Sequence, residues 1–120
     1  MSIQINPGIR RGATYGCTFQ PPEAPSEYSA ILVTFVQGQQ IIHSFTEASD
    51  EIAVGSTDIV VTLSQQQTLA FAPSHFSPMG RETKGFVYAQ CRCFKSASVV
   101  TESQNIPIPV EDCQSEEVLS

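Results

Sequence analysis

Apolar and polar positions alternate with a period of two over most of the chain, and no stretch holds the 3.6-residue period of a long amphipathic helix. The alternation is clearest in Asp58 to Phe71 (DIVVTLSQQQTLAF). There Ile59, Val61 and Leu63 interleave with Val60 and Thr62, as in a strand with one preferred buried face. At Ser64 the pattern stops. Ser64 is placed to cap a helical turn, and Gln67 three residues later completes a capping box, in which each side chain satisfies an orphan backbone N–H. Leu69 and Phe71 return to the apolar side, and Pro73 prevents continuation. One strand followed by one short helical turn near 64–71 is the prediction.

The same reading assigns the remaining elements. Arg11-Gly12 opens a strand in which Ala13, Tyr15, Cys17 and Phe19 point one way. Pro21, Pro22 and Pro25 remove three N–H donors, so 20–27 is a loop. Ala30 to Gln37 places Ile31, Val33 and Phe35 on one face and Leu32, Thr34 and Val36 on the other. With both faces fairly apolar, it reads as a central strand. Gly38-Gln39 is a two-residue hairpin turn, with Gly in the first central position as type II′ requires, leading to a return strand over 40–45. An acidic connection over 46–51 precedes a short strand at 52–54 and a Gly55-Ser56 turn. The 72–84 stretch has two prolines and no periodicity, and is read as the longest loop. A strand follows at 86–94, then a turn at 96–98 and a strand at 99–101. In 105–110, Ile106, Ile108 and Val110 are in phase, with Pro107 and Pro109 opposite, the chemistry of an edge strand.

Seven or eight short strands, with turn signals roughly every ten residues, predict an all-β fold: an antiparallel β-sandwich, immunoglobulin-like or related. Residues 1–110 form its single domain, and 111–120 an acidic C-terminal tail. The expected core is Ile31, Val33, Phe35, Ile59, Val61, Leu63, Leu69, Phe71, Val87 and Ala89.

Composition sharpens this picture. At 120 residues the chain is long enough to bury a core without metal or disulfide staples. Only 15% of residues are charged, and the net charge is −6. The one adjacent basic pair, Arg10-Arg11, does not make a phosphate-tracking groove, so nucleic acid is not an expected partner. No apolar run reaches the roughly 18 residues of a membrane span. Residues 1–19 lack the layout of a signal peptide, so synthesis in the cytoplasm, away from membranes, is expected. The four cysteines, Cys17, Cys91, Cys93 and Cys113, are then expected as thiols.

Candidate chemistry is sparse. Cys91 and Cys93 share a strand face with Val87 and Ala89, which reads as packing in preference to a zinc knuckle. His43 and His75 stand in no ligand motif, and no nucleophile elbow, P-loop or dinucleotide fingerprint occurs. Asp50, Glu51 and Asp58 lack the spacing of a calcium loop and read as a solvated rim. No catalytic, metal-binding or cofactor-binding residue is assigned, and an enzyme is not expected. Candidate contact residues for protein partners are His75, Phe76 and Met79 in the long loop, Ile106 and Ile108 on the edge strand, and Val118 and Leu119 in the tail.

Four pieces carry a resemblance: Arg11-Gly12-Ala13-Thr14, VTLSQQQTLAF at 61–71, VYAQCRCF at 87–94 and IPVEDCQSEEVL at 108–119. Together they resemble small β-sandwich structural proteins of phages and prophages of Firmicutes, and are similar to the N-terminal domain of upper baseplate proteins. Ser96-Ala97-Ser98 stands where that pattern has an Asp-Gly turn. The resemblance implies a virion component of the tail or baseplate, neck or capsid periphery. Its partners would be copies of itself and other virion structural proteins, without catalytic residues or cofactors. The alternative is a ligand- or carbohydrate-binding sandwich. The absence of Trp and an aromatic content of 8% count against a sugar platform.

Overall fold

The computed structural model describes residues 1–5, 8–73, 75–76 and 83–111. In chain order the strands are β1 (Ser2–Ile5), β2 (Ile9–Arg10), β3 (Tyr15–Gln20), β4 (Ala30–Gln37), β5 (Gln40–Thr46), β6 (Ile52–Val54) and β7 (Ile59–Leu63). After a four-residue helix, α1 (Gln65–Thr68), come β8 (His75–Phe76), β9 (Thr83–Lys84), β10 (Val87–Lys95), β11 (Ser98–Glu102), β12 (Ile106–Ile108) and β13 (Val110–Glu111). A 3₁₀ turn over Pro25–Glu27 sits inside the proline-rich loop.

Two sheets face each other across one core. The first has the order β1-β3-β7-β6 and the second β5-β4-β10-β11, with β12 also paired to β10. Every neighbouring pair in these sheets is antiparallel. This is the strand order of an immunoglobulin-like sandwich whose second sheet carries an extra edge strand, here β5. The predicted antiparallel sandwich is therefore the observed fold, with one parallel addition: β13 pairs with β2, placing Val110 opposite Ile9 and Glu111 opposite Arg10. Glu111 thus belongs to the domain, and residues 112–120 lie outside those described.

The core follows the period-2 reading. Tyr15, Cys17 and Phe19 of β3 and Ile59, Val61 and Leu63 of β7 bury against Ile31, Val33 and Phe35 of β4 and Val87, Ala89, Cys91 and Cys93 of β10. Phe71 is buried as expected. Leu69 is only half-buried, because it is the C-cap of α1 and the buried side chain of that helix is Thr68.

Two hairpin turns have the same geometry. Gly38 and Gln39 both have positive φ (60° and 67°), which is type I′, not the expected II′. The right-handed twist of β4 and β5 is matched by that geometry, and Gln39 is carried into the left-handed region with it. Ser96 and Ala97 repeat the pattern at φ 52° and 67°, joining Lys95 to Ser98.

β11 and β12 behave as one interrupted strand on one edge of β10. At the break, Ser103 stands in for the missing ladder. Its N–H donates to the Cys91 carbonyl (2.9 Å), and its Oγ accepts from the Cys91 N–H (2.8 Å). A buried serine therefore keeps both backbone groups of Cys91 paired where β11 gives way to β12.

Candidate interaction surface

The segment after β7 ties the two sheets together. Ser64 Oγ accepts from the Gln67 N–H and Gln67 Oε1 from the Ser64 N–H, so the predicted capping box is present. Thr68 Oγ1 accepts from the Gly12 N–H and lies 3.0 Å from the Ala13 carbonyl. Arg11 reaches over the end of the helix and donates to the carbonyls of Phe71 (2.7 Å) and Leu69 (3.2 Å). From the other sheet, Gln37 donates to the Ala72 and Gly85 carbonyls and accepts from the Ala72 N–H. His43 Nε2 donates to the Gln67 carbonyl at 2.8 Å, which makes Nε2 the protonated nitrogen. Its ring stacks on Phe45 and meets Phe71 edge-on. All of these groups are occupied in holding the fold.

The residues singled out for chemistry sit apart. Cys17, Cys91 and Cys93 are free thiols buried in the core. Burial pushes the Cys17 thiol up from 9.0 to about 12, and a hydrogen bond with Cys93, followed by burial, raises that of Cys91. Cys17 and Cys91, held protonated in this way, are poor nucleophiles and poor ligands, while the same hydrogen bond lowers Cys93. Asp50 and Glu51 line one shallow groove with Ser64 and Gln67, whereas Asp58 accepts hydrogen bonds from Gln20 and Thr57 elsewhere. Among the described residues, no three His, Cys, Asp or Glu side chains converge as a metal site. Likewise, no helix among them is long and apolar enough to cross a membrane.

The expected contact residues divide three ways. His75 and Phe76 form β8, paired with Lys84 and Thr83 of β9. Met79, Val118 and Leu119 lie outside the described residues. Ile108 is 0% exposed and Ile106 half-buried against the core. This corrects the expectation that Ile108 faces a partner. The segment does run along the edge of β10, but the phase opposite the prolines points inward, so Ile108 is consumed by the protein's own core.

The surface left open is one the expected contact residues missed: the outer face of β5-β4-β10-β11/β12. Cross-strand register arranges it in four rows. At one end Ile41, Val36, Tyr88 and Pro107 form an apolar row. Next come the neutral polar groups of Ser44, Thr34 and Gln90, then Thr46, Leu32, Arg92 and Glu102. Ala30, Phe94 and Val99 close the far end. Ile41 is 65% exposed, Tyr88 44% and Val99 47%, large apolar groups facing water. A shallow groove of about 400 Å³ runs along the first three rows, and among the described residues Arg92 is the only charged side chain lining it. Arg92 is answered on the same face by Glu102 (3.6 Å) and donates to Gln90 (3.1 Å). The signal in the sequence was the second apolar phase of 30–37. Read as a sign of a central strand, it also marks an outer face unlike a solvated one.

Compared with known proteins, the chain matches no family model and no curated relative.

Proposed function

We propose that this protein is a structural module of a phage virion, in the tail or baseplate, neck or capsid periphery, working through protein–protein contacts in a symmetric assembly. The observation that carries the reading is the outer face of the second sheet: broad, largely neutral, and bearing large apolar side chains on a sandwich whose core is already complete. Such a surface loses little on desolvation, because hydroxyls and amides can pair again across an interface while few charges need burying. The resemblance of residues 61–71, 87–94 and 108–119 to phage structural proteins supplies the virion setting. A sugar-binding reading has less support, since the groove offers one aromatic ring, Tyr88, where stacking platforms use several.

The test is quantitative mass spectrometry of gradient-purified particles, with imaging of particles lacking the protein. Fixed, multi-copy stoichiometry in the particle and a morphological defect in its absence are expected. A protein abundant in the infected cell yet missing from purified particles overturns the reading.

A further inference from the structure

We infer that the outer face of β5-β4-β10-β11/β12 binds the same face of a second copy, around a two-fold axis lying in the plane of the interface and across the strands. The inference rests on the reading that this domain acts through contacts between copies, and is independent of where in a virion it sits.

Three observations choose a second copy as the occupant. The first is the order of the rows, which along the central β10 reads the same from either end: Tyr88, Gln90, Arg92, Phe94, or apolar, polar, polar, apolar. A two-fold axis across the strands lays the Tyr88 row of one copy on the Phe94 row of the other, and the Gln90 row on the Arg92 row. At both ends Tyr88 then meets Phe94, Val36 meets Ala30 and Pro107 meets Val99. In the middle β10 lies over β10, β4 over β4 and β5 over β5, so Arg92 of each copy meets the Gln90 amide of the other, Thr46 meets Ser44 and Leu32 meets Thr34. An axis along the strands would instead set Arg92 against Leu32.

The second is charge. Two copies of a chain with net charge −6 repel each other over most of their surfaces. This face carries one Arg and one Glu, already paired at 3.6 Å, so it is a place where the copies approach without that penalty.

The third is size. Four strands spaced ~4.8 Å apart and ~8 residues long at ~3.3 Å each give a footprint of about 500 Å² per copy, or ~1,000 Å² for two, at the threshold of a specific interface. An isologous contact of this kind closes on itself and gives a defined dimer.

The experiment is sedimentation of the full chain over a concentration series, with Ile41→Glu and Tyr88→Glu on the face and Val60→Glu on the outer side of the opposite sheet as control. A reversible dimer is expected, retained by the control and weakened at least ~10-fold by each face variant while their far-UV spectra and melting stay native-like. Orientation is read in a Cys113→Ser background by adding a short bis-maleimide to Tyr88→Cys and Phe94→Cys chains. Mixed chains should cross-link well, and either variant alone poorly. A full-length chain that stays monomeric to ~0.5 mM overturns the inference. It does so even if removing residues 112–120 then permits a dimer, which would assign the face to the chain's own C-terminal segment. A dimer indifferent to both face variants, or cross-linking best within one variant, also overturns it. Failure here leaves the virion reading to its separate test, incorporation into particles.

Discussion

At the scale of single residues, the polar side chains that matter most are those with no freedom left. Thr68 is buried and holds two backbone groups of the 12–13 turn at once. Thr68→Val keeps the shape but leaves the Gly12 N–H without its acceptor, so a loss of about 1–3 kcal/mol is expected in a urea melt. Wild-type-like stability would mean that water replaces the hydroxyl. Cys17 makes a second residue-scale prediction. Its thiol ionises near 9.0 when unfolded but near 12 in the fold, and burial also raises Tyr15. Between about pH 9 and 12 the unfolded chain therefore gives up protons that the folded chain retains. Stability is complete below pH 9 and falls as pH rises through this window. Cys17→Ala should lower stability at neutral pH and flatten the alkaline fall. An unchanged slope between pH 9 and 11 would show that Cys17 is not its source.

Among the elements, the two type I′ turns and the capped helix are the informative ones. Ala97 sits at φ 67° with no glycine to ease it. A left-handed conformation costs an L-residue about 1–2 kcal/mol, so Ala97→Gly, or Ser96-Ala97→Asn-Gly, should stabilise the domain by up to about 1 kcal/mol. A lowered melting temperature would mean that the two φ values do not describe the turn in solution. For the helix, Ser64→Ala should cost about 1 kcal/mol through loss of the cap. Phe71→Ala should cost ~3–5 kcal/mol, as a fully buried ring, and the half-buried Leu69→Ala clearly less. Equal costs at 69 and 71 would contradict the side-chain packing at the end of this segment.

For the molecule as a whole, the question is whether two sheets make one cooperative unit. Cys17 lies in the first sheet, Cys91 and Cys93 in the second, and a single cluster of apolar side chains contains all three. The bridges made by Arg11, Gln37 and His43 close the sandwich where β7 leaves the first sheet. Pulsed thiol labelling across a urea titration should therefore expose all three cysteines together, at the midpoint seen by circular dichroism. Exposure of Cys17 ahead of Cys91 would show that the sheets part before they unfold.

Much of this architecture was legible in residue order. Strand phase depends on which neighbours alternate, and that is local, so β3, β4, β7 and β10 and their buried faces could be read directly from Tyr15-x-Cys17-x-Phe19 and its counterparts. The capping box at Ser64 and Gln67 was legible for the same reason, since its partners lie three residues apart. Whether Gly38-Gln39 became type I′ or II′ turned on the φ of Gln39, since both turns suit the twist of the strands it joins and the residue types do not separate them. Other features depended on groups distant in sequence. Whether Ile108 faced a partner or the core was decided by its register on β10, opposite the buried Val87. The largest consequence of this kind is the outer face: Ile41, Thr34, Gln90 and Glu102 form one surface only because β5, β4, β10 and β11 lie side by side. Alternation along each strand prescribes what that strand hides. Only the register between strands decides what the sheet presents.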